Sequence, residues 1–216
     1  MSKQQLPKKI IPDLASSRCP WTGIGDPEYA RYHDEEWGVP LTDSRLLFEK
    51  LVLEGFQSGL SWLTILKKRE NFRRAFHDFD AEKIARYGKR DVARLMTDAG
   101  IVRNSLKIDA TIDNAKAYLA LSGRQEFSHF IWGFVDGQPA QNRIETFKDM
   151  PPQSELSKRI SKALKAEGFR FAGPTTVYAF MQSSGMVNDH LITCPRHDVC
   201  ARLQKKLKVP GRGGSR

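Results

Sequence analysis

Between the two ends of the chain, apolar side chains recur at helical spacing almost throughout. Leu47 and Leu51, with Phe48 and Val52, would line one face of a helix that Asp43 or Ser44 can cap. Trp62, Ile65 and Leu66 begin a second stripe that continues towards Phe72 and Phe76. Asp80 and Asp91 each read as the N-cap of a short helix. Ser128 opens SHFIWGFV, which stops at Gly137, and Ser154 opens a longer helix through Leu164 that ends at Gly168. Pro174, suited to a first helical turn, starts TTVYAFMQSS, and Gly185 ends it. Alternating apolar–polar runs of the strand type are absent, so the expected class is all-α.

The segment LMTDAGIVRNSLKIDATI, Leu95 to Ile112, predicts a tight turn between helices. One helix ends at Ala99–Gly100 and the next begins near Asn104. Such a turn points backbone N–H groups outward at a helix N-terminus, where a phosphate can sit, and Arg103 and Lys107 would add charge. An ordinary helical hairpin with a glycine cap fits the same residues.

Composition changes this picture in three ways. The chain has 216 residues, of which 40% are hydrophobic, enough for one large core or two intimate lobes. No apolar run approaches the ~18 residues of a membrane span, and MSKQQLPKKIIPDLASSR lacks the apolar stretch of a secretion signal. Three cysteines are an odd count, which argues against a disulfide framework and for a reducing cytoplasm. The net charge of +10 is concentrated at the ends. Residues 1–18 hold Lys3, Lys8, Lys9 and Arg18 against Asp13, and residues 201–216 hold Arg202, Lys205, Lys206, Lys208, Arg212 and Arg216 with no acid. Both stretches read as basic disordered tails around a folded region, 19–200. They are either solvated linkers or a source of non-specific attraction to a polyanion.

Candidate chemistry gathers in three places. YHDEEWGVP, Tyr32 to Pro40, packs a histidine, three acids and two large aromatics into nine residues. LEGFQSGLSW, Leu53 to Trp62, adds a lone acid, Glu54, and another indole. VNDHLITC, Val187 to Cys194, adds a histidine and a cysteine four residues apart. Glu54 is either a carboxylate on a helix surface or a buried one with a purpose. Trp21, Tyr29, Tyr32, Trp37 and Trp62 fit a core or an aromatic box. Gly59–Leu60 could wedge between bases or simply begin a helix. Cys19, His33, His190 and Cys194 compose a closed tetrahedral zinc set, and such a metal would fasten the two ends together. Their spacing, Cys-x13-His and His-x3-Cys, is not that of a zinc finger, and buried thiols with core histidines fit as well. His197 and Cys200 are rival ligands. An aromatic box with one acid inside and a metal site beside it points to recognition of a flat, electron-poor ring.

These residues carry a resemblance. The chain resembles the 3-methyladenine DNA glycosylase I family from about Cys19 to Cys194. The matching motifs are CPW (19–21), YHDEEWGVP (32–40), LEGFQSGLSW (53–62), LKKRENFRRAF (66–76), DAGIVRN (98–104) and GFRFAGPTTVYAFMQSSGMVNDH (168–190), followed by Cys194. The resemblance implies a helix-hairpin-helix glycosylase whose ends are clasped by one structural zinc at Cys19, His33, His190 and Cys194. It implies that Glu54 and Tyr32 hydrogen-bond an extruded base, that Trp62 and Trp21 stack on it, and that Trp37 and Tyr29 complete the box. The turn GIVRN, with Gly100, Ile101, Val102 and Arg103, would hold the DNA backbone, and Gly59, Leu60 and Lys107 are further candidate DNA contacts.

The implied substrate is double-stranded DNA containing 3-methyladenine, met by a monomer in the bacterial cytoplasm, at the nucleoid. The stretch Tyr118 to Gln125, where the wider superfamily usually places a catalytic aspartate, contains no acid, and Asn104 stands near the position of a lyase lysine. Hydrolysis without strand cleavage is therefore expected. A zinc-stabilised DNA-binding module without catalysis, and an enzyme acting on free nucleobases or nucleosides, are the alternatives.

Overall fold

The computed structural model describes residues 18–22 and 25–207. A 3-10 turn, Pro20–Thr22, leads into α1, Pro27–Glu35, whose first turn is capped by Asp26. Next come α2, Ser44–Gln57, and α3, Trp62–Ala75, then the short α4, Ala81–Ile84, and α5, Lys89–Thr97. The chain continues through α6, Ser105–Ser122, and α7, Phe127–Trp132, to a two-residue strand, β1, Ala140–Gln141. It ends with α8, Glu155–Ala166, α9, Pro174–Ser183, β2, Val187–Asn188, and α10, Pro195–Lys205.

Helix α2 organises the molecule. Asp43 accepts from Leu46 N and starts it. Beyond the expected stripe of Leu47, Phe48, Leu51 and Val52, the residues Leu53, Glu54, Gly55 and Phe56 are also buried. From Leu51 to Phe56 the helix is buried on every side, so that stretch must be packed on every side. Indeed α2 touches α3, α6, α7 and α9. The buried apolar residues form one continuous cluster that includes Phe48, Phe56, Phe72, Phe127, Ile160 and Phe180. At about 1.5–3 kcal/mol for each fully buried large apolar side chain, this cluster is the main source of stability.

Several expected boundaries hold. Asp80 caps α4, Ser154 caps α8, and Pro174 opens α9. Gly185, at φ +73°, turns the chain out of α9, and a Cβ there would sit 2.6 Å from Pro40 N. Asn104 is the N-cap of α6, with its side chain accepting from Lys107 N.

Other boundaries differ. Gly88, not Asp91, is the N-cap of α5, and Asp91 reaches back to accept from Gly88 N at 3.0 Å. Helix α7 starts at Phe127 rather than at Ser128. Its cap is supplied from α2, where Ser44 Oγ accepts from Ser128 N at 3.0 Å and donates to Glu126. Local sequence cannot show a cap borrowed from another helix.

The all-α expectation needs one amendment. β1 and β2 pair in parallel, Ala140 with Val187 and Gln141 with Asn188, and Ile144 bridges Leu191. Runs this short cannot show alternation. They tie the α7–α8 connection to the segment that carries His190.

The expected tail boundaries also shift. Arg18 pairs with Asp34 at 2.7 Å and belongs to the fold. Residues 201–205 are not tail but the last turns of α10. Cys200 and Gln204 form a short buried stripe there, and Gln204 Nε2 donates to Gly38 O at 2.9 Å. The exposed basic face of α10 hid that stripe from a reading by composition. Residues 1–17 and 208–216, where the remaining tail expectation falls, lie outside the described residues. No helix among the described residues is long and apolar enough to cross a membrane.

Candidate active site and metal-ligand cluster

Helices α1, α2, α3 and α9 and the segment between β1 and α8 enclose a cavity of about 220 Å³. That is below the ~300–1,000 Å³ of pockets for drug-sized ligands, and it suits a single planar ring system. Its aromatic walls are the expected ones: Trp21, Tyr29, Tyr32, Trp37 and Trp62. Trp21 meets Trp37 edge-on at 5.1 Å and lies 4.9 Å from Tyr29, while Tyr32 lies 5.4 Å from Trp62. Tyr32, Trp37 and Trp62 are buried, and Trp21 and Tyr29 are half-buried at the open side. The indole N–H of Trp62 is buried without a hydrogen-bond partner among the described residues.

Glu54 lines the same cavity and is only 4% exposed. It stands one turn after Lys50 on α2, and Ser183 Oγ from α9 donates to its Oε1 at 2.9 Å. Burial pushes its carboxyl up to about 7, against the opposing pull of the Lys50 ammonium and the Ser183 hydroxyl. The phenol of Tyr32 is held well above its ordinary range by burial and then by the Glu54 charge. It therefore stays a neutral donor. The cavity thus offers a carboxyl group that titrates near neutrality, a phenolic O–H and flat faces on more than one side.

The cavity also uses residues that the sequence did not single out. Gln57 lies one turn after Glu54, so its spacing could have revealed it. Gln182 from α9, and Phe147 and Met150 from the β1–α8 segment, could not be found that way. Gln182 Nε2 donates to Asp189 Oδ2 at 2.7 Å, and Tyr178 donates to the same oxygen at 2.7 Å. Those bonds orient the amide.

Cys19, His33, His190 and Cys194 converge, all buried, with their ligand atoms within 4.8 Å of one another. Cys19 Sγ lies 3.7 Å from His190 Nδ1, and Cys194 Sγ lies 3.6 Å from His33 Nε2 and 3.7 Å from His190 Nδ1. A tetrahedron built on the usual zinc–sulfur and zinc–nitrogen lengths has S···N edges of about 3.6 Å. The other nitrogen of each histidine is fixed from behind. His33 Nδ1 donates to Asp34 at 2.8 Å, and His190 Nε2 donates to Trp37 O at 3.0 Å. This is the outer support that metal-bound imidazoles need. The rivals stand outside the cluster. Cys200 Sγ donates weakly to Trp37 O, and His197 Nε2 donates to Asn142 O. Trp37 links the two sites, since its ring packs edge-on against His190 at 4.6 Å while it also walls the cavity.

Away from the cavity, the expected DNA-contacting residues divide. Leu60 is 43% exposed after Gly59, which turns the chain at φ +81°. In the α5–α6 turn Arg103 is exposed and Val102 half-buried, but Ile101 is buried. The N–H groups of Gly100 and Ile101 are already taken by Asp98. Lys107 does not face outward. It is buried, and its ammonium donates to Phe56 O at 2.7 Å and Ser58 O at 2.6 Å. It closes the C-terminus of α2, where helix carbonyls need a cation.

With this geometry described, comparison with known proteins is specific. The family model described as methyladenine glycosylase matches residues 21–197. The DNA-3-methyladenine glycosylase of Haemophilus influenzae is 51% identical over 181 residues, covering 83% of this chain and 97% of that protein. DNA-3-methyladenine glycosylase 1 of Escherichia coli is 51% identical over 178 residues, covering 82% and 95%. A crystal structure of 3-methyladenine DNA glycosylase I superposes with a TM-score of 0.80 at 50% identity, over 82% of this chain and 97% of the other. A structure addressing 3-methyladenine recognition by the Staphylococcus aureus enzyme gives 0.80 at 42% identity, over 84% and 96%. The chain belongs to the methyladenine glycosylase family.

Proposed function

We propose that this chain is a monofunctional DNA glycosylase that extrudes 3-methyladenine from alkylated double-stranded DNA and hydrolyses its N-glycosidic bond. One observation carries the reading: a buried carboxyl group, Glu54, faces an aromatic cavity the size of one base. Methylation at N3 makes adenine cationic. A cation is attracted to a carboxylate and to aromatic faces, so this cavity favours the damaged base over the neutral one. Glu54 and Tyr32 would hydrogen-bond the edge of the flipped base, Trp62 and Trp21 would stack on it, and Trp37, Tyr29 and Gln57 would complete the fit. A cationic base departs with the bonding electron pair as a neutral molecule. Water replaces it at C1′ and loses one proton. Little acid catalysis is needed, which accords with a cavity whose one carboxyl group is placed for recognition.

Cys19, His33, His190 and Cys194 would hold one zinc ion. The four-ligand set leaves no open position, so the ion would supply a structural link from Cys19 and the last turn of α1 to the entry of α10, not a Lewis acid. The α5–α6 turn, as a helix-hairpin-helix element, would hold the DNA backbone through Arg103 and the N–H groups of Val102 and Arg103. Leu60 would fill the gap left by the extruded base. The protein would act as a monomer in a reducing compartment, where its three free cysteines persist.

Incubation with methylated DNA, followed by identification of released bases, tests the reading. Free 3-methyladenine should appear, with the DNA strand intact. Binding without release would favour a non-catalytic DNA-binding module. Activity on free nucleosides that undamaged duplex DNA does not inhibit would favour a nucleoside enzyme.

A further inference from the structure

Glu54 faces the base cavity, while Ser183, which contacts it, and Lys50, one helical turn before it, line a second cavity of about 250 Å³. Leu53 and Trp62 line that second cavity too. Ser183 Oγ is 2.9 Å from Glu54 Oε1 and 3.3 Å from Phe180 O. The hydroxyl has a single proton and these two acceptors. It can donate to an ionised Glu54. It can also accept from a protonated one and donate, over the longer distance, to Phe180 O. Ser183 therefore fixes the direction of Oε1 in either state and, by donating its shorter bond to the carboxylate, favours the ionised one. Lys50 adds to that preference. It lies one helical turn before Glu54, with its ammonium 5.5 Å from the centre of the Tyr32 ring, and it makes no ion pair or hydrogen bond among the described residues.

We propose that Ser183 and Lys50 are positioning residues for Glu54. The hydroxyl holds Oε1, and the ammonium compensates the buried charge, so that Oε2 is presented to the flipped base as a carboxylate oxygen. This rests on the reading of Glu54 as the group that meets a cationic base.

The other charged and titratable groups around Glu54 do not duplicate this role. From α1, Tyr29 and Tyr32 are phenols held above their ordinary value, first by burial. Glu36, just after α1, is locked to Arg69 of α3 by two hydrogen bonds of 2.5 and 2.9 Å. Glu49 of α2 is locked to Arg73 of α3 at 2.7 Å. From α9 the neighbour is the neutral Ser183. Lys50 is thus the cation near Glu54 that is not already paired with a carboxylate. Burial lowers its own proton affinity, and Glu36 and then Glu54 pull in the opposite direction.

The experiment has two readouts. The first is single-turnover release of 3-methyladenine from methylated DNA across pH 5.5–9, for wild type, Ser183→Ala, Lys50→Met and Lys50→Arg. Loss of either partner should move the acidic limb to higher pH. Release should fall about tenfold near pH 6.5 and largely recover at pH 9, where Glu54 ionises regardless. Lys50→Arg should follow wild type. The second readout needs no substrate. The infrared carboxylate band that Glu54→Gln removes should appear at higher pH in Ser183→Ala and Lys50→Met than in wild type. Thermal melting at each pH identifies a variant that fails to fold, and the remaining partner's variants then decide. pH profiles and carboxylate titrations that coincide with wild type would overturn the proposal. A wild-type chain that releases no 3-methyladenine would overturn the glycosylase reading instead, and the infrared titration would still judge the roles of Ser183 and Lys50.

Discussion

At the scale of single residues, the role proposed for Glu54 sets stability and function against each other. Its carboxyl group is raised by burial from 4.5 to about 7. The folded state therefore binds the proton more tightly than the unfolded chain. Its contribution to stability is full below about pH 4.5 and is lost as pH rises to about 7. Recognition of a cationic base needs the opposite state, the carboxylate. Above pH 7, Glu54→Gln should thus raise the free energy of unfolding, by roughly 1–3 kcal/mol, because it removes a buried charge and keeps a polar partner for Ser183. The same change should lower excision about ten- to a hundredfold, the worth of one charge-assisted hydrogen bond of roughly 1.5–3 kcal/mol. Urea unfolding at pH 8 and single-turnover excision measure the two effects. A less stable and fully active variant would place Glu54 outside the reaction. Trp62→Ala should reduce excision through lost stacking, and free 3-methyladenine should inhibit the wild type.

At the scale of elements, the metal-ligand cluster joins Cys19 and the last turn of α1 to the segment leading into α10, and Lys107 joins α6 to the end of α2. Metal analysis after dialysis should find about one zinc per chain. Cys194→Ala should lose it and Cys200→Ala should keep it, since the Cys200 thiol lies outside the cluster. Chelation should lower the melting temperature before it lowers excision in the protein that stays folded. For the second joint, Lys107→Met strands two helix carbonyls. It should cost about 1.5–3 kcal/mol of stability and leave the salt dependence of DNA binding unchanged. Arg103→Ala should do the reverse, with little change in melting and a slope shallower by about 0.9 for one lost phosphate contact. Equal effects from the two variants would contradict this division of labour.

At the scale of the whole molecule, the question is where the net charge of +10 acts. Lys3, Lys8 and Lys9 against Asp13, with Lys208, Arg212 and Arg216, place half of it in residues 1–17 and 208–216. We propose that these segments strengthen non-specific DNA binding by releasing counterions. Removing both should flatten the log–log dependence of binding on salt and leave excision at saturating enzyme intact. An identical slope in the trimmed protein would make them idle. The trimming must stop after Leu207, because Gln204 hydrogen-bonds Gly38 beside Trp37 and so supports the wall of the cavity.

The sequence by itself determined the helical class and most caps, and it named the aromatic residues and the four candidate metal ligands that the structure then brings together. Apolar periodicity and cap chemistry are local, so Asp43, Asp80 and Ser154 announce their helices to any reader of the chain. The family motifs pointed to Glu54 and Tyr32, which spacing alone left open, and the structure puts both at the cavity. Only the tertiary structure decided what depends on residues far apart in sequence. It turned Lys107 inward onto α2, let Ser44 cap α7, set Cys200 outside the metal-ligand cluster and made residues 201–205 a helix. It also brought Ser183 to Glu54 across 129 positions of sequence. The physical reason is the same in each case. A polar side chain is committed by whichever buried partner the packing brings to it, and its own neighbours along the chain carry no record of that partner.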